Sequence, residues 1–88
     1  MLELFQEGKF DKDIAKAKKR GKGMKKLFDI ISLLVSEKPL LTKNRNHKLT
    51  GEFKGCWECH IEPDWLLIYK KTPKSITLVR TGTHSDLF

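Results

Sequence analysis

The apolar residues of this 88-residue chain change their spacing partway along, from the period of a helix to the period of a strand. In the first half they recur three or four positions apart, at Met24, Leu27, Phe28, Ile31, Leu34 and Val35. Further on they alternate with polar residues, at Phe53, Trp57, Cys59 and Ile61. A helix buries a stripe with a 3.6-residue period, whereas a strand buries every second residue. The sequence therefore predicts helices followed by a sheet.

Two helices and a short strand are expected in the first half. The first helix is indicated by apolar residues at helical spacing in a lysine-rich segment, namely Phe10, Ile14 and Ala17. Gly21 ends this helix, and the second helix runs over about Gly23–Ser36. Leu2–Phe5 is predicted to be a short edge strand. Leu40–Thr50 is polar and irregular, and we interpret it as a loop.

Three strands are expected in the second half, at Phe53–Ile61, Trp65–Lys70 and Ser75–Arg80, with turns between them. Gly82 ends the third strand and leaves residues 83–88 as a tail. A chain of this length supports one core, so residues 1–88 form a single domain. The predicted fold class is α+β, a short strand and two helices before an antiparallel meander, with both helices packed on one face. The aromatic residues expected in the core are Phe5, Phe10, Phe28 and Phe53.

Basic residues dominate the charge and indicate a polyanionic partner. The chain has 18 Lys and Arg against 11 Asp and Glu, a formal net charge of +7. Nine of the basic residues lie between Lys9 and Lys26, and Lys38–Gly51 contains basic residues but no acid. Such a surface attracts nucleic acid or an acidic protein. We expect the Lys9–Lys26 segment to dock RNA; the alternative is a solvated helix face that only aids solubility.

No segment predicts secretion or membrane insertion. Met1–Phe5 is too short and too acidic for a signal peptide, and no apolar run reaches the length of a membrane span. Cys56 and Cys59 provide no disulfide framework. Residues three apart on a strand point to opposite faces, so these two sulfurs do not share a metal. We expect a cytoplasmic protein with no metal, no cofactor and no membrane partner, in which Cys59 is a packing residue.

Three histidines and one aspartate lie where the predicted topology brings them together. His60 is near the end of the first meander strand, and Asp64 is in the turn that follows. An antiparallel hairpin reverses between them, so both lie at the same end of the sheet. The third strand returns Arg80 and the tail residue His84 to that end. Only His47 needs its loop to fold over the sheet.

These side chains match the requirements of RNA cleavage. RNA carries its own nucleophile, the 2′-hydroxyl, so the protein must supply a base, an acid for the 5′-oxygen and a cation for the phosphorane. Imidazoles titrate near neutrality and serve as acid or base. The residues predicted for these roles are His47, Asp64, His84 and Arg80. Each also has a plainer interpretation, since surface histidines are commonly idle, a residue after proline commonly forms a turn, and a strand-edge arginine is ordinary.

Two aromatic residues and one lysine are expected to bind the substrate. Trp65 follows Asp64 and could stack on a base, although core packing is an equal alternative. Phe88 has little to pack against and lies near His84 in the sequence, which favours base stacking. Lys48 belongs to the basic loop and is expected to contact the RNA.

Three motifs resemble the YafQ branch of the RelE/ParE toxin superfamily. They are H-x-L-x-G at His47–Gly51, the Cys59–Tyr69 segment with its His-Ile-Glu-Pro-Asp-Trp core, and R-x-G-[ST]-H-[SA]-x-L-F at Arg80–Phe88. The resemblance covers nearly the whole chain. It implies the toxin of a type II toxin–antitoxin pair, an mRNA endoribonuclease that acts in the ribosomal A site. It also implies a cognate antitoxin, a small acidic DNA-binding dimer that inhibits the toxin.

The resemblance also implies functional residues. The matching positions are His47, His60, Asp64, Trp65, His84 and Phe88, with Arg80 as the residue that faces the scissile phosphate. In this scheme His84 is the general acid, His47 with Asp64 serves the 2′-hydroxyl, and Phe88 holds a base. Trp57 departs from the pattern, because relatives commonly carry arginine there, and its presence removes one phosphate contact.

Two other functions remain open at this point. The same fold could serve as a non-catalytic module that binds RNA or a protein partner. A ParE-like gyrase inhibitor is a further alternative, although such a protein has no need of a His/Asp cluster. RNA cleavage that survives EDTA and is lost in His84→Ala separates a nuclease from both.

Overall fold

The computed structural model describes residues 1–88 and contains a five-stranded mixed sheet with three α-helices. In chain order the elements are β1 (Glu3–Gln6), α1 (Gly8–Lys19), α2 (Met24–Val35), β2 (His47–Lys48), β3 (Trp57–Glu62), β4 (Trp65–Lys71), β5 (Ser75–Gly82) and α3 (His84–Leu87). The sheet order is β1-β5-β4-β3-β2. β1 pairs parallel with β5, and the other pairs are antiparallel. None of the helices combines the length and the hydropathy needed to cross a bilayer.

The predicted α+β fold is confirmed. β3, β4 and β5 form the antiparallel meander, and β1 is the short strand at one edge. α1 and α2 lie close to their predicted bounds, and Gly21 has a φ of 75° just after α1, a conformation that glycine adopts without strain. The first meander strand begins at Trp57 and not at Phe53, because Gly51–Phe53 forms a 3₁₀ turn.

Two segments predicted to be irregular contain regular structure. The predicted loop Leu40–Thr50 includes a 3₁₀ turn at Thr42–Asn44 and the strand β2, which pairs with β3. The predicted tail contains α3, because Thr83 and Asp86 cap it reciprocally. The Thr83 Oγ1 accepts a hydrogen bond from the Asp86 amide at 3.1 Å, and the Asp86 carboxylate accepts one from the Thr83 amide at 2.9 Å.

Both long helices pack on one side of the sheet, which we call the helix-covered face, as predicted. Its buried cluster comprises Leu2, Phe10, Ala17, Leu27, Ile30, Leu34, Cys59, Trp65, Leu67, Tyr69, Ile76 and Leu78. The core prediction is correct for Phe10 but wrong for Phe5 and Phe28, which are 52% and 58% exposed. Phe28 lies about 100° around α2 from the buried Leu27, outside the apolar stripe. Phe5 lies on an edge strand that has a neighbour on one side only.

The opposite side of the sheet, which we call the open face, has a smaller cluster. Its buried members are Cys56, Leu66, Ile68, Val79 and Leu87, with Leu49 and the half-buried Phe53 packed against them. Leu87 belongs to α3, so this short helix covers part of the face. The end of β3 that carries His60 lies beside this cluster, opposite Leu66, and remains half-buried.

Candidate active site

β3 places two of the site's side chains on the open face. Glu58 pairs across the sheet with Ile68, and His60 pairs with Leu66. Both partners belong to the open-face cluster, and directly paired residues of antiparallel strands share a face. Glu58 and His60 therefore point to the side of the sheet that α1 and α2 do not cover.

All three histidines line one hollow of about 600 Å³ on this side, together with Arg45 and Asn46. His47 reaches it because β2 pairs with β3, with His47 opposite Glu58. The ring centroids of His60 and His84 are 5.7 Å apart. The three imidazoles therefore lie close together, as predicted. The pairing of β2 with β3 brings His47 over the sheet to the other two histidines.

His84 is held by Asp64 through two contacts. The His84 Nδ1 lies 2.6 Å from the Asp64 Oδ1, and the His84 backbone amide donates to the same oxygen at 2.9 Å. An ionised carboxylate only accepts, so Nδ1 carries the hydrogen and Nε2 is left for chemistry. The two hydrogen bonds from His84 lower the pKa of Asp64 below its usual value. Asp64 therefore stays ionised and fixes the orientation of the ring.

His47 and His60 share a buried carboxylate that the sequence analysis missed. The Glu58 Oε1 lies 3.5 Å from the His47 Nε2 and 3.6 Å from the His60 Nε2. Glu58 is only 5% exposed, and a buried carboxylate needs nearby positive or donor groups. The available signal was its position two residues before His60 on an alternating strand, which gives the two residues the same face.

Arg80 lies outside this hollow. Its Nε donates to the Asp13 Oδ2 at 2.7 Å, and its Nη2 donates to the Asp13 Oδ1 at 3.1 Å. These hydrogen bonds raise the pKa of Arg80 further above its usual value. The side chain lines a different hollow, which it shares with Phe53 and Lys54. Arg80 pairs with Ile68 and therefore lies on the open face, but its guanidinium is held by Asp13 of α1 and does not line the histidine hollow.

The substrate-binding predictions have different outcomes. Trp65 is 1% exposed, and its indole Nε1 donates to the Thr81 Oγ1 at 2.9 Å. Of the two interpretations that the sequence left open for Trp65, the structure supports core packing, because the ring is buried. Phe88 is 65% exposed and meets Phe53 edge to face, with ring centroids 5.6 Å apart. Lys48 is exposed but does not line the histidine hollow, since its Nζ lies 5.4 Å from the Trp57 ring centroid.

Several cations of the Lys9–Lys26 segment make ion pairs within the protein. Lys16 and Arg20 bind Asp86 of α3, at 3.2 Å and 2.6 Å. Lys22 and Lys26 bind Glu62 at the end of β3, at 3.5 Å and 2.9 Å, and lower its pKa. Some of the cations that were predicted to dock RNA therefore hold α3 and the end of β3 in place through ion pairs.

The chain matches, over residues 2–88, the protein family described as "Bacterial toxin of type II toxin-antitoxin system, YafQ". It is thus a toxin of the type II toxin–antitoxin class. Within that class it belongs to the YafQ family, which confirms the resemblance seen in its motifs. The mRNA interferase toxin YafQ of Escherichia coli strain K12 is 45% identical over 87 residues, which are 98% of this chain and 95% of that relative.

Solved structures of the family share the whole fold. The crystal structure of YafQ from E. coli strain BL21(DE3) has a TM-score of 0.94 and 40% identity to this chain. The match covers 100% of this chain and 99% of the YafQ chain. The toxin in the crystal structure of the E. coli DinJ-YafQ toxin-antitoxin complex has a TM-score of 0.92 and 42% identity over 99% of this chain and 97% of its own.

Proposed function

We propose that this toxin is an mRNA interferase, an endoribonuclease that cleaves mRNA in the histidine hollow. The observation that carries the proposal is that His84, which is paired with Asp64, lines one hollow together with His47 and His60. An acid and a base on two sides of a bound phosphodiester are what cleavage by the 2′-hydroxyl needs. The mRNA interferase name of the E. coli relative supports the same activity.

His84 is the proposed general acid. In its doubly protonated form it gives the Nε2 proton to the departing 5′-oxygen, while Nδ1 keeps its hydrogen and donates it to Asp64, whose carboxylate stabilises the charged ring. The family resemblance assigned Asp64 to the 2′-hydroxyl. Its two bonds to His84 favour the role of orienting the acid instead.

His47 is the proposed general base. Its Nδ1 donates to the Arg45 carbonyl oxygen at 2.7 Å, so in the neutral ring Nε2 is the acceptor that takes the 2′-hydroxyl proton. The freed 2′-oxygen bonds to phosphorus as the 5′-oxygen leaves, which gives a 2′,3′-cyclic phosphate and a 5′-hydroxyl. Glu58 stabilises the imidazolium that forms on His47 and also positions His60.

Partners follow from charge and from the family. The net charge of +7 suits mRNA and the ribosome, and we place the reaction in the ribosomal A site in the cytoplasm. A YafQ protein of E. coli is found in a complex with the DinJ antitoxin. We assign to this toxin a cognate antitoxin of the same kind, an acidic partner that inhibits it. The exposed Phe88 is the proposed stacking surface for a base.

The test is cleavage of a defined mRNA by purified toxin in EDTA, with and without programmed ribosomes. His84→Ala is expected to lower the cleavage rate about 10²- to 10⁴-fold, the usual contribution of a general acid. Ser85→Ala is the matched control, since Ser85 is exposed next to His84 in α3. A substrate with 2′-deoxyribose at the cleaved position should resist cleavage.

Unchanged cleavage by His84→Ala, or equal cleavage of the 2′-deoxy substrate, would contradict this mechanism. If the toxin binds mRNA tightly but no cut appears under any of these conditions, it is a binding module and the nuclease proposal fails.

A further inference from the structure

Three arginines could supply the cation that the reaction needs, and two of them are held by carboxylates. The Arg20 Nη1 lies 2.6 Å from the Asp86 Oδ2, and the Arg80 Nε lies 2.7 Å from the Asp13 Oδ2. Arg45 is the third arginine of the chain and makes no ion pair. Its positive charge is therefore not offset by a carboxylate of the protein, and all its donors are available to an external anion.

Arg45 stands between two hollows. It lines the 600 Å³ hollow with the three histidines, and it also lines a neighbouring hollow of about 360 Å³. Lys26, Lys43 and the carboxylate Glu62 line the second hollow, and His60 lines both. Lys43 makes no ion pair, whereas Lys26 binds Glu62. A strand of RNA that leaves the histidines past Arg45 would thus enter a second basic hollow.

The backbone holds Arg45 in place. Its φ of 48° and ψ of 50° lie in the left-handed region, which an arginine adopts only where its surroundings impose it. Both neighbours are tethered to the sheet. The Asn44 Nδ2 donates to the His60 carbonyl at 2.8 Å, and the Tyr69 hydroxyl donates to the Asn46 Oδ1 at 2.6 Å. Asn44 is buried, so the first tether is shielded from water.

The same segment connects the cation to the proposed base. The Arg45 carbonyl oxygen accepts the hydrogen bond from the His47 Nδ1 at 2.7 Å, so the residue that bears the guanidinium also sets the orientation of the His47 ring. A cation and a base built on one tethered segment keep a fixed position relative to each other, as a preorganised site requires.

We propose that Arg45 binds the scissile phosphate, and that the second hollow holds the next phosphate of the RNA with Lys43. The inference rests on the proposed nuclease function and names the phosphate-binding residue of that site. A guanidinium offers paired hydrogen bonds to two phosphate oxygens, which suits the charge that develops on a phosphorane. Arg80, in contrast, acts within the fold through Asp13.

Arg45→Gly tests this directly. Glycine adopts the left-handed conformation freely, so the variant keeps the loop and should melt at or above the temperature of the unaltered toxin. The value of kcat/KM, measured in single-turnover experiments, should fall about 10²- to 10³-fold. This is the usual cost of removing one hydrogen-bond donor to the charge that develops in the transition state. Arg45→Lys should recover part of the rate, because it keeps the charge without the paired geometry.

Two further variants complete the series. Lys43→Ala should raise KM several-fold and leave kcat unchanged, since it removes a distant phosphate contact. Lys74→Ala is the control for loss of one positive charge, because Lys74 is exposed in the β4–β5 turn, between strands other than those that bear the histidines. If Arg45→Gly melts lower than expected, Arg45→Asn replaces it, since asparagine also tolerates the left-handed region.

The result that overturns the inference is cleavage by Arg45→Gly within about twofold of the unaltered toxin. If the unaltered toxin does not cleave RNA, the proposed function fails while phosphate binding is still measurable. Phosphate binding is then measured as the Kd of a 2′-O-methyl RNA, which lacks the nucleophile and cannot be cleaved. Arg45→Gly should weaken its Kd about tenfold and reduce the salt slope by about one, as loss of one phosphate contact does. An unchanged Kd and slope would refute the inference in that case as well.

Discussion

The two faces of the sheet are built from the same strands, but one is covered by helices and the other carries the histidine hollow. On the helix-covered face, α1 and α2 complete a buried apolar cluster. On the open face the apolar cluster is smaller, and Glu58 and His60 of β3 lie beside it. β4 is buried on both faces because it is the central strand. Substitutions on the helix-covered face should therefore change stability, and substitutions at the open end should change chemistry.

The largest expected effect is on stability, at Leu67. It is fully buried within the helix-covered cluster, so Leu67→Ala leaves a cavity and should lower the free energy of unfolding by about 2–5 kcal/mol. Urea denaturation measures this change. Cleavage per folded molecule should stay the same; a specific loss of rate in the folded fraction would break the separation between the faces.

Glu58→Gln should have the next largest effect, on the reaction. The amide keeps the shape but removes the charge that faces His47 and His60, so cleavage should fall about 10²-fold, at the low end of acid–base and electrostatic contributions to catalysis. Urea denaturation should show little loss of stability, since the variant buries no unpaired charge. A normal rate with reduced stability would mean that Glu58 belongs to the fold and not to the site.

The exposed lysines of α1 test whether RNA binding is confined to the open face. Lys12 and Lys19 make no ion pair, so reversing both to glutamate should weaken RNA or ribosome association and flatten its salt dependence. Filter binding at several salt concentrations measures this effect, with kcat expected to stay constant. Unchanged binding would show that this surface is only solvated.

Arg80→Ala should have a modest effect on stability. It leaves the Asp13 carboxylate with only the Thr81 amide as a donor, at 3.1 Å, and the pair is partly exposed, so the loss should be about 1 kcal/mol. The rate of the folded variant should remain close to normal. A rate loss as large as that of Arg45→Gly would place Arg80 in the chemistry after all.

The smallest effect is confined to acid pH. Hydrogen bonds from Arg20 and Thr83 hold the pKa of Asp86 well below its usual range. As the pH falls, Asp86 is protonated in the unfolded chain before it is protonated in the folded protein. The stabilisation from its ionised carboxylate is therefore present above about pH 4 and is lost as the pH falls further. Asp86→Asn should therefore show a smaller difference in unfolding free energy between pH 7 and pH 3. An equal difference in both proteins would contradict this.

The sequence predicted those parts of the fold that depend on local periodicity. The meander and both long helices follow from which residues are apolar and how they are spaced. β2 was missed because it depends on contacts that spacing does not report, and α3 was missed because its four residues are too few to show a period, although Thr83 and Asp86 form a local capping pair. The buried Asn44 ties the β2 segment to His60, and Asp86 joins α3 to Arg20.

The candidate site divides in the same way. The convergence of His60, Asp64 and His84 follows from the antiparallel order of three successive strands, which the sequence predicts. Glu58 was missed because its burial requires β2 to pair beside it. The pairing of Arg80 with Asp13 could not be predicted, because the two residues lie 67 positions apart in the chain, a distance at which no sequence pattern pairs two residues.

The most direct test of the nuclease mechanism is an RNA in which sulfur replaces the bridging 5′-oxygen at the cleaved position. A thiolate departs without a proton, so the acid becomes dispensable on this substrate. If His84 is the acid, His84→Ala should cleave the sulfur substrate at nearly the rate of the unaltered toxin, while it loses about 10²- to 10⁴-fold on the oxygen substrate. An equal loss on both substrates would contradict the assignment of proton donation to this hollow.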